Sequence, residues 1–476
     1  MDATKKKVIV IGFDGASPSI VKKAIDSRKM PYLQKLLEES RNSLENLKST
    51  IPSSTAPSWT SMMTGVNPGK HGIYDFLVHE GFRSRPARYS DVKKPFVWDI
   101  LSRYGLKSII IGHPVTYPVA RDDNIIMISG ILAPQLNEHS VNPPELVDTL
   151  NKMGYIIDIE DKMVYLKSSP SQALEICNDS AQKRTKVAKK LLKDYDWDFS
   201  FILFPESDRL LHYHITKENI VLDHFKVLDK AIKELTSIGE DLIVFITSDH
   251  GFITINKVLA VNVLLHMAGL CKIKNKKTSD IAYKYGKKFV SKFGSILAKT
   301  KISKKVSSML PGEYIIKEKS KAWFTPYAES GIRVNPLLPA EERDRIIETA
   351  IDLLNNLKDP ETGNHIVRAL RKEEVYWGEE STRAPDVVVI PLEDYVATHI
   401  VPAQMDKILF NPKEIFLKEG DHVCEGAQNG ILGVSGISLK SGGEYHVMDI
   451  APTLLDIFNI PLKEFKYMDG HSIIGG

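Results

Sequence analysis

The chain predicts an α/β fold: a doubly wound, mostly parallel sheet with helices on both faces and an inserted cap. Three observations carry this. Uninterrupted apolar runs rich in β-branched residues, such as Val8 to Ile11 and Leu106 to Gly112, read as strands buried on both faces. Segments with helical spacing alternate with them. Acidic or imidazole residues follow three of the runs, where open α/β sheets gather their ligands.

In chain order, Val8 to Ile11 is a strand with Asp14 just past its carboxyl end, and Pro31 to Ser40 is a helix with Leu33, Leu36 and Leu37 on one face. Residues 50 to 76 are rich in hydroxyls, with Thr55 between Pro52 and Pro57. The prolines push the chain out of helical geometry before a helix begins. Two readings stand here: Ser53, Ser54 and Thr55 cap the helix Ser58 to Thr64, or Thr55 sits at an anion site made by the helix N-terminus.

Pro95 to Arg103 then reads as a helix, and Leu106 to Gly112 and Ile125 to Ser129 as strands. A helix over Pro170 to Leu192 has a solvated basic face of Lys183, Lys186, Lys190 and Lys193. Strand Asp198 to Phe204 delivers Asp208 and His212, helix Glu218 to Ser237 returns the chain, and strand Asp241 to Thr247 ends in Ser-Asp249-His250-Gly. Ala322 to Asn335 reads as a strand pair, Pro339 to Leu357 as a helix and Asp386 to Pro391 as a strand. His422 precedes strand Gly430 to Ser435, and Val447 to Phe458 is a helix.

A chain of 476 residues, 43% hydrophobic and 26% charged, has ample core-forming material for two to three domains. The expected division is a core of 1–256 and 322–476, with 257–321 as the insertion. Between Lys272 and Lys321 fifteen lysines face only Asp280, Glu313 and Glu318. Tyr285, Phe289, Phe293 and Leu297 recur every four residues there, the pattern of an amphipathic basic helix. Its readings are a solvated cap helix or a collar for a polyanionic substrate or anionic membrane surface. The early apolar run is too short for a signal peptide or membrane span, so a cytoplasmic setting is expected. Cys177, Cys271 and Cys424 lack CxxC spacing, which argues against a disulfide framework or thiolate zinc site.

Asp14, Asp208, His212, Asp249, His250 and His422 together form a carboxylate and imidazole inventory suited to Zn²⁺, Mn²⁺ or Fe²⁺, and large enough for two ions. Singly, Asp14 reads equally as a turn former and His212 or His422 as an ordinary histidine. The spacing Asp208-x-x-x-His212 puts both on one side of a helical turn. Two neighbouring ions suit phosphoryl transfer.

The ordered set Asp14, Pro-Ser-Ser-Thr55-x-Pro, Thr-Gly, His71-Gly-Ile, Asp208-x-x-x-His212, Ser-Asp249-His250-Gly and His422 resembles the alkaline phosphatase superfamily. Within it, the set is most similar to the type I phosphodiesterase/nucleotide pyrophosphatase branch. The resemblance implies an alkaline-phosphatase-like core, two divalent ions (Zn or Mn) and a small-molecule phosphate ester or nucleotide substrate. It implies that Thr55 is the nucleophile and forms a phospho-threonine. Asp14, Asp249 and His250, with Thr55, would hold one ion; Asp208, His212 and His422 would hold the other.

One departure stands out. The family's phosphate-binding asparagine after His-Gly-Ile aligns with Phe76, beside Asp75. Backbone N–H groups near Thr55, Lys70 or Arg209 are the expected substitutes. The alternatives are a cofactor-independent phosphomutase of the same superfamily, which generally offers a serine nucleophile, and a non-catalytic protein binding anionic partners through 272–321.

Overall fold

Alternate side chains of the central strand Lys7–Phe13 point to opposite faces of a nine-stranded sheet, and each face buries its own core. Ile9, Ile11 and Phe13 pack with Val21, Leu37, Leu191, Phe225 and Leu228, drawn from helices Pro18–Asp26, Pro31–Glu39, Pro170–Asp194 and Glu218–Thr236. Val8 and Val10 pack with Trp59, Met62, Trp98 and Leu454 from helices Thr55–Thr64, Val97–Arg103 and Ile450–Ile457. Helices therefore cover both faces, as the uninterrupted apolar strands require. The computed structural model describes residues 6–159, 168–239, 241–274, 315–325, 329–402, 404–416, 418–440 and 442–475.

Across the sheet the strands run Tyr445–His446, Glu45–Lys48, Asn429–Ser435, Leu242–Thr247, Lys7–Phe13, Phe199–Phe204, Ser108–Ile111, Ile125–Ile128 and Val141–Asn142. The five strands from Leu242–Thr247 to Ile125–Ile128 are parallel, and antiparallel neighbours flank them on both sides. Register aligns Gly12 with Leu203 on one side and with Thr247 on the other. Asp14, the helix carrying Asp208 and the turn Ser248-Asp249-His250 thus leave from one edge, because a parallel sheet puts all its carboxyl ends together.

A second unit has a four-stranded sheet ordered Ala322–Phe324, Gly331–Val334, Val387–Pro391, Val367–Arg371. Its hydrophobic cluster joins Leu259, Leu264, Trp323, Phe324, Ile346, Leu354, Val387 and Val389. Strand Lys257–Ala260 pairs with Tyr395–Thr398 and Leu409–Phe410. We propose on these contacts that the inserted unit runs from about 257 to 410, beyond the expected end at 321. The amphipathic stretch Tyr285 to Leu297 lies outside the described residues. Among the described residues, no helix is long and apolar enough to cross a membrane.

Two features of the core give measurable expectations. A methyl group on Gly12 would lie 2.5 Å from Trp59 and 3.0 Å from Leu203. Trp59 sits on the helix that begins at Thr55, and Trp59 and Leu203 are both fully buried. Gly12→Ala is expected to cost about 1–3 kcal/mol in chemical denaturation by overpacking; a variant as stable as the wild type would show that Trp59 shifts without penalty.

Buried histidines give the second. Burial pushes His71 and His224 down to about 3 and His113 down to about 4, from an ordinary 6.5. Their depressed folded-state pKa values stabilise the fold above pH 6.5, and that stability drains away as pH falls toward the folded values. Each is expected to contribute a slope of about 1.4 kcal/mol per pH unit across that window. His224→Gln should flatten the profile of unfolding free energy by one proton's share. Identical slopes in the two proteins would remove His224 from the account.

Candidate active site

Ser54 takes extended backbone geometry and helix Thr55–Thr64 begins immediately after it, ending where Gly65 adopts a left-handed φ of 71°. All ten residues of this helix are buried. The hydroxyls ahead of it do not serve as caps. Ser54 makes no side-chain cap bond and its Oγ is buried without a partner. Ser53 Oγ instead donates to the carbonyl of His422 at 2.6 Å. Thr55 Oγ1 donates to Asp14 Oδ1 at 3.3 Å and lies 3.3 Å from His250 Nε2. Pro57 has no N–H, so the amides of Thr55 and Ala56 are left at the tip.

The structure brings all seven sequence-predicted residues to the same sheet edge. Asp14 comes from the end of Lys7–Phe13, and Ser207 Oγ holds its carbonyl at 2.7 Å. Asp249 and His250 leave Leu242–Thr247, and the Gly15 amide donates to Asp249 Oδ1 at 3.3 Å. Asp208 and His212 share one side of helix Glu206–His214, with His212 Nε2 3.5 Å from Asp208 Oδ1. His422 follows strand Gly420–Asp421, and its Nε2 is 3.7 Å from Asp208 Oδ1. The rings of His250 and His422 stack with centroids 3.9 Å apart.

Two features of this cluster fit divalent cations. Each histidine places Nδ1 on a backbone carbonyl: His212 on Gly420 at 3.0 Å, His250 on Gly251 at 2.9 Å and His422 on Ser53 at 2.7 Å. A carbonyl only accepts, so Nδ1 carries the proton and each Nε2 turns a lone pair toward the carboxylates. The second feature is that Asp14 Oδ2, Asp208 Oδ1 and Asp249 Oδ2 are buried with no hydrogen-bond partner. An unpartnered buried carboxylate oxygen is costly unless something positive meets it.

Among the described residues, two groups have their ligand atoms within 4.8 Å of one another: Asp14, Asp249 and His250, and Asp208, His250 and His422. His250 thus belongs to both, whereas the resemblance implied His212 beside Asp208 and His422. Burial, and then the charges of Asp249 and Asp208, raise the pKa of Asp14. Burial likewise raises Asp249. Burial also opposes ionisation of Asp208, but His212, Arg209, His422 and His250 together outweigh it and hold its carboxyl at about 2.

The neighbours considered for the missing phosphate contact are otherwise engaged. Phe76 packs beside Ala56, Ile73 and Val78. Lys70 Nζ bonds Asp469 Oδ1 at 2.6 Å and the Tyr467 carbonyl at 2.8 Å. Arg209 pairs with Asp158 and Asp208. His71 is structural, with Nε2 2.9 Å from Ser61 Oγ and Nδ1 accepting the Ile73 amide at 3.1 Å. Asp158 carries no signal in the sequence, because it lies where periodicity is weak and no motif surrounds it.

The architecture has solved relatives. Phosphonoacetate hydrolase from Sinorhizobium meliloti, in complex with phosphonoformate, aligns with a TM-score of 0.60 at 16% identity over 94% of each chain. Human ectonucleotide pyrophosphatase/phosphodiesterase 5 aligns with a TM-score of 0.54 at 13% identity, over 96% of this chain and 95% of that one. An inactive variant of the murine form of that protein, in complex with AMP, aligns with a TM-score of 0.55 at 12% identity, over 98% and 97%. At such identities the likeness establishes the fold. No curated protein sequence matches the chain. The family model described as type I phosphodiesterase / nucleotide pyrophosphatase matches residues 8–403. That match spans most of the chain, including Thr55 and five of the six clustered carboxylates and imidazoles, and it places the protein in the type I phosphodiesterase / nucleotide pyrophosphatase family of the alkaline phosphatase superfamily.

Proposed function

We propose that the protein is a two-metal hydrolase of phosphodiesters or nucleotide pyrophosphates that works through a phospho-threonine on Thr55. The observation that carries this reading is the position of Thr55 Oγ1, 3.3 Å from both Asp14 Oδ1 and His250 Nε2 at the tip of a buried helix. Asp14, Asp249 and His250 would hold one ion and Asp208, His212 and His422 the other. When bound, such ions lower the pKa of a hydroxyl or water and neutralise phosphoryl charge.

The chain's own residues account for orientation. Asp14 accepts the Thr55 hydroxyl hydrogen and aims the oxygen. The N–H groups of Thr55 and Ala56 at the helix tip face an anion, in place of the family's asparagine. In the first step Thr55 Oγ1 bonds to phosphorus, the bond to the leaving oxygen breaks and that oxygen takes up a proton. In the second step water attacks phosphorus, the Thr55 oxygen leaves and regains its proton, and the phosphate product departs.

Cys271 and Cys424 are buried free thiols, which supports the cytoplasmic setting, since an oxidising compartment favours pairing. A threonine at the nucleophile position favours hydrolysis over the phosphomutase reading. The test is a panel of mono-, di- and pyrophosphate esters, with phosphonoacetate included because one structural relative is a hydrolase of that compound. Metal content is measured by elemental analysis in parallel. Highest kcat/KM on a diester or pyrophosphate is the expected result. Phosphoryl movement between two positions of a substrate without release would favour the mutase instead.

A further inference from the structure

The catalytic reading leaves Arg209 without a role, although it lies one residue from Asp208 on helix Glu206–His214. Its side chain is only 19% exposed. Nε donates to Asp158 Oδ1 at 3.2 Å and Nη2 to Asp158 Oδ2 at 2.6 Å, a two-pronged clamp. The remaining arm, Nη1, donates to Asp208 Oδ2 at 2.9 Å. One oxygen of Asp208 is therefore occupied, and the other, Oδ1, is the one left buried without a hydrogen-bond partner between His212 and His422.

The loop that supplies Asp158 is itself braced. Arg184 is fully buried and donates from Nη2 to the Ile157 carbonyl at 2.9 Å and from Nη1 to Tyr155 Oη at 2.6 Å. Its Nε reaches Glu206 Oε1 at 3.3 Å, and Ser180 Oγ donates to the same oxygen at 2.7 Å. Glu206 is the first residue of the helix that carries Asp208. One guanidinium thus ties the loop to the helix start, and the other ties the loop's carboxylate to Asp208.

We infer that Arg209, clamped by Asp158, is a positioning residue that turns Asp208 so that it offers Oδ1 alone to a divalent cation at the Asp208, His212 and His422 end of the site. The inference rests on the two-metal reading above. A fork of this kind needs a planar guanidinium, so lysine keeps the charge of Arg209 and loses the geometry. Partners that orient a metal ligand in this way typically change metal affinity by about 10–100-fold when removed.

The experiment strips metal from the wild type, Asp158→Asn and Arg209→Lys, and titrates each with Zn²⁺ in a calorimeter, with thermal unfolding of the metal-free forms alongside. The wild type is expected to take up two ions. Both variants should bind one ion at wild-type affinity and the other about 10–100-fold more weakly, with metal-free unfolding close to wild type. Two ions bound at wild-type affinity by both variants overturns the inference and leaves the two-metal reading intact. Equal weakening of both ions, or metal-free variants that unfold far below the wild type, shows a general brace and also overturns it. Fewer than two ions on the wild type defeats the two-metal reading itself, and this inference with it.

Discussion

Thr55→Ala is expected to lower kcat by at least about 10³-fold on every substrate the wild type hydrolyses, because loss of a nucleophile removes the covalent route and not merely a contact. Its metal content should stay at the wild-type level. Five of the six carboxylate and imidazole side chains are anchored independently of the Thr55 hydroxyl: Nδ1 of each histidine is held by a backbone carbonyl, and Asp249 and Asp208 by Gly15 and Arg209, while Asp14 Oδ1 alone accepts from Thr55. Thr55→Ser retains the attacking oxygen and is expected to retain turnover, which separates chemistry from a packing defect. The methyl group lost in both variants is the same. Near wild-type activity in the alanine variant would end the nucleophile assignment, and metal loss in it would show that the Thr55 hydroxyl is needed to hold an ion.

Removing metal is expected to have the second large effect. Dialysis against a chelator is expected to abolish hydrolysis and to lower the thermal unfolding midpoint, with Zn²⁺ or Mn²⁺ restoring both. Ligand linkage sets the size: an ion held at roughly 1,000 times its Kd stabilises the folded state by about 4 kcal/mol. The physical cause is on view in the cluster. Asp14, Asp208 and Asp249 are all buried, each keeps one oxygen without a hydrogen bond, and the charges of Asp249 and Asp208 act against ionisation of Asp14. A cation removes that conflict, and its absence leaves like charges facing one another in a medium that screens them poorly. Asp249→Asn should reproduce part of the loss at the Asp14 end while sparing uptake at the Asp208 end. An unfolding midpoint unmoved by chelator would mean that the cluster is stable as a hydrogen-bonded network and that no ion completes it.

Much of the fold was legible in the order of residues. Strand runs such as Val8 to Ile11 and Asp198 to Phe204 identified themselves because burial on both faces of a parallel sheet leaves no polar position to interrupt them. Element ends shifted by a residue or two, as at helix Pro170–Asp194, where the apolar pattern fades before the hydrogen bonding stops. The larger difference lies near Thr55. The proline pattern places the helix start at Ser58, since proline usually marks a boundary, whereas Pro57 is inside the first turn, where a missing N–H costs nothing.

By itself, then, the sequence determined the chemical identities of the cluster and the edge they would reach, since a side chain that follows a buried parallel strand has one end of the sheet to go to. Only the tertiary structure decided how those groups are presented. The carbonyl that sets the tautomer of His422 belongs to Ser53, 369 positions away in the chain, and the carboxylate that clamps Arg209 is 51 positions away. His250 lies between the two groups because its ring stacks on that of His422, and Arg209 and Lys70 are spent on neighbouring carboxylates instead of facing an anion. Hydrogen bonds between distant segments depend on closure of the whole sheet, and no local periodicity records them. Thr55 sits at the junction of the two kinds of information: its hydroxyl was readable in one dimension, and the 3.3 Å that separates it from Asp14 and from His250 exists only in three.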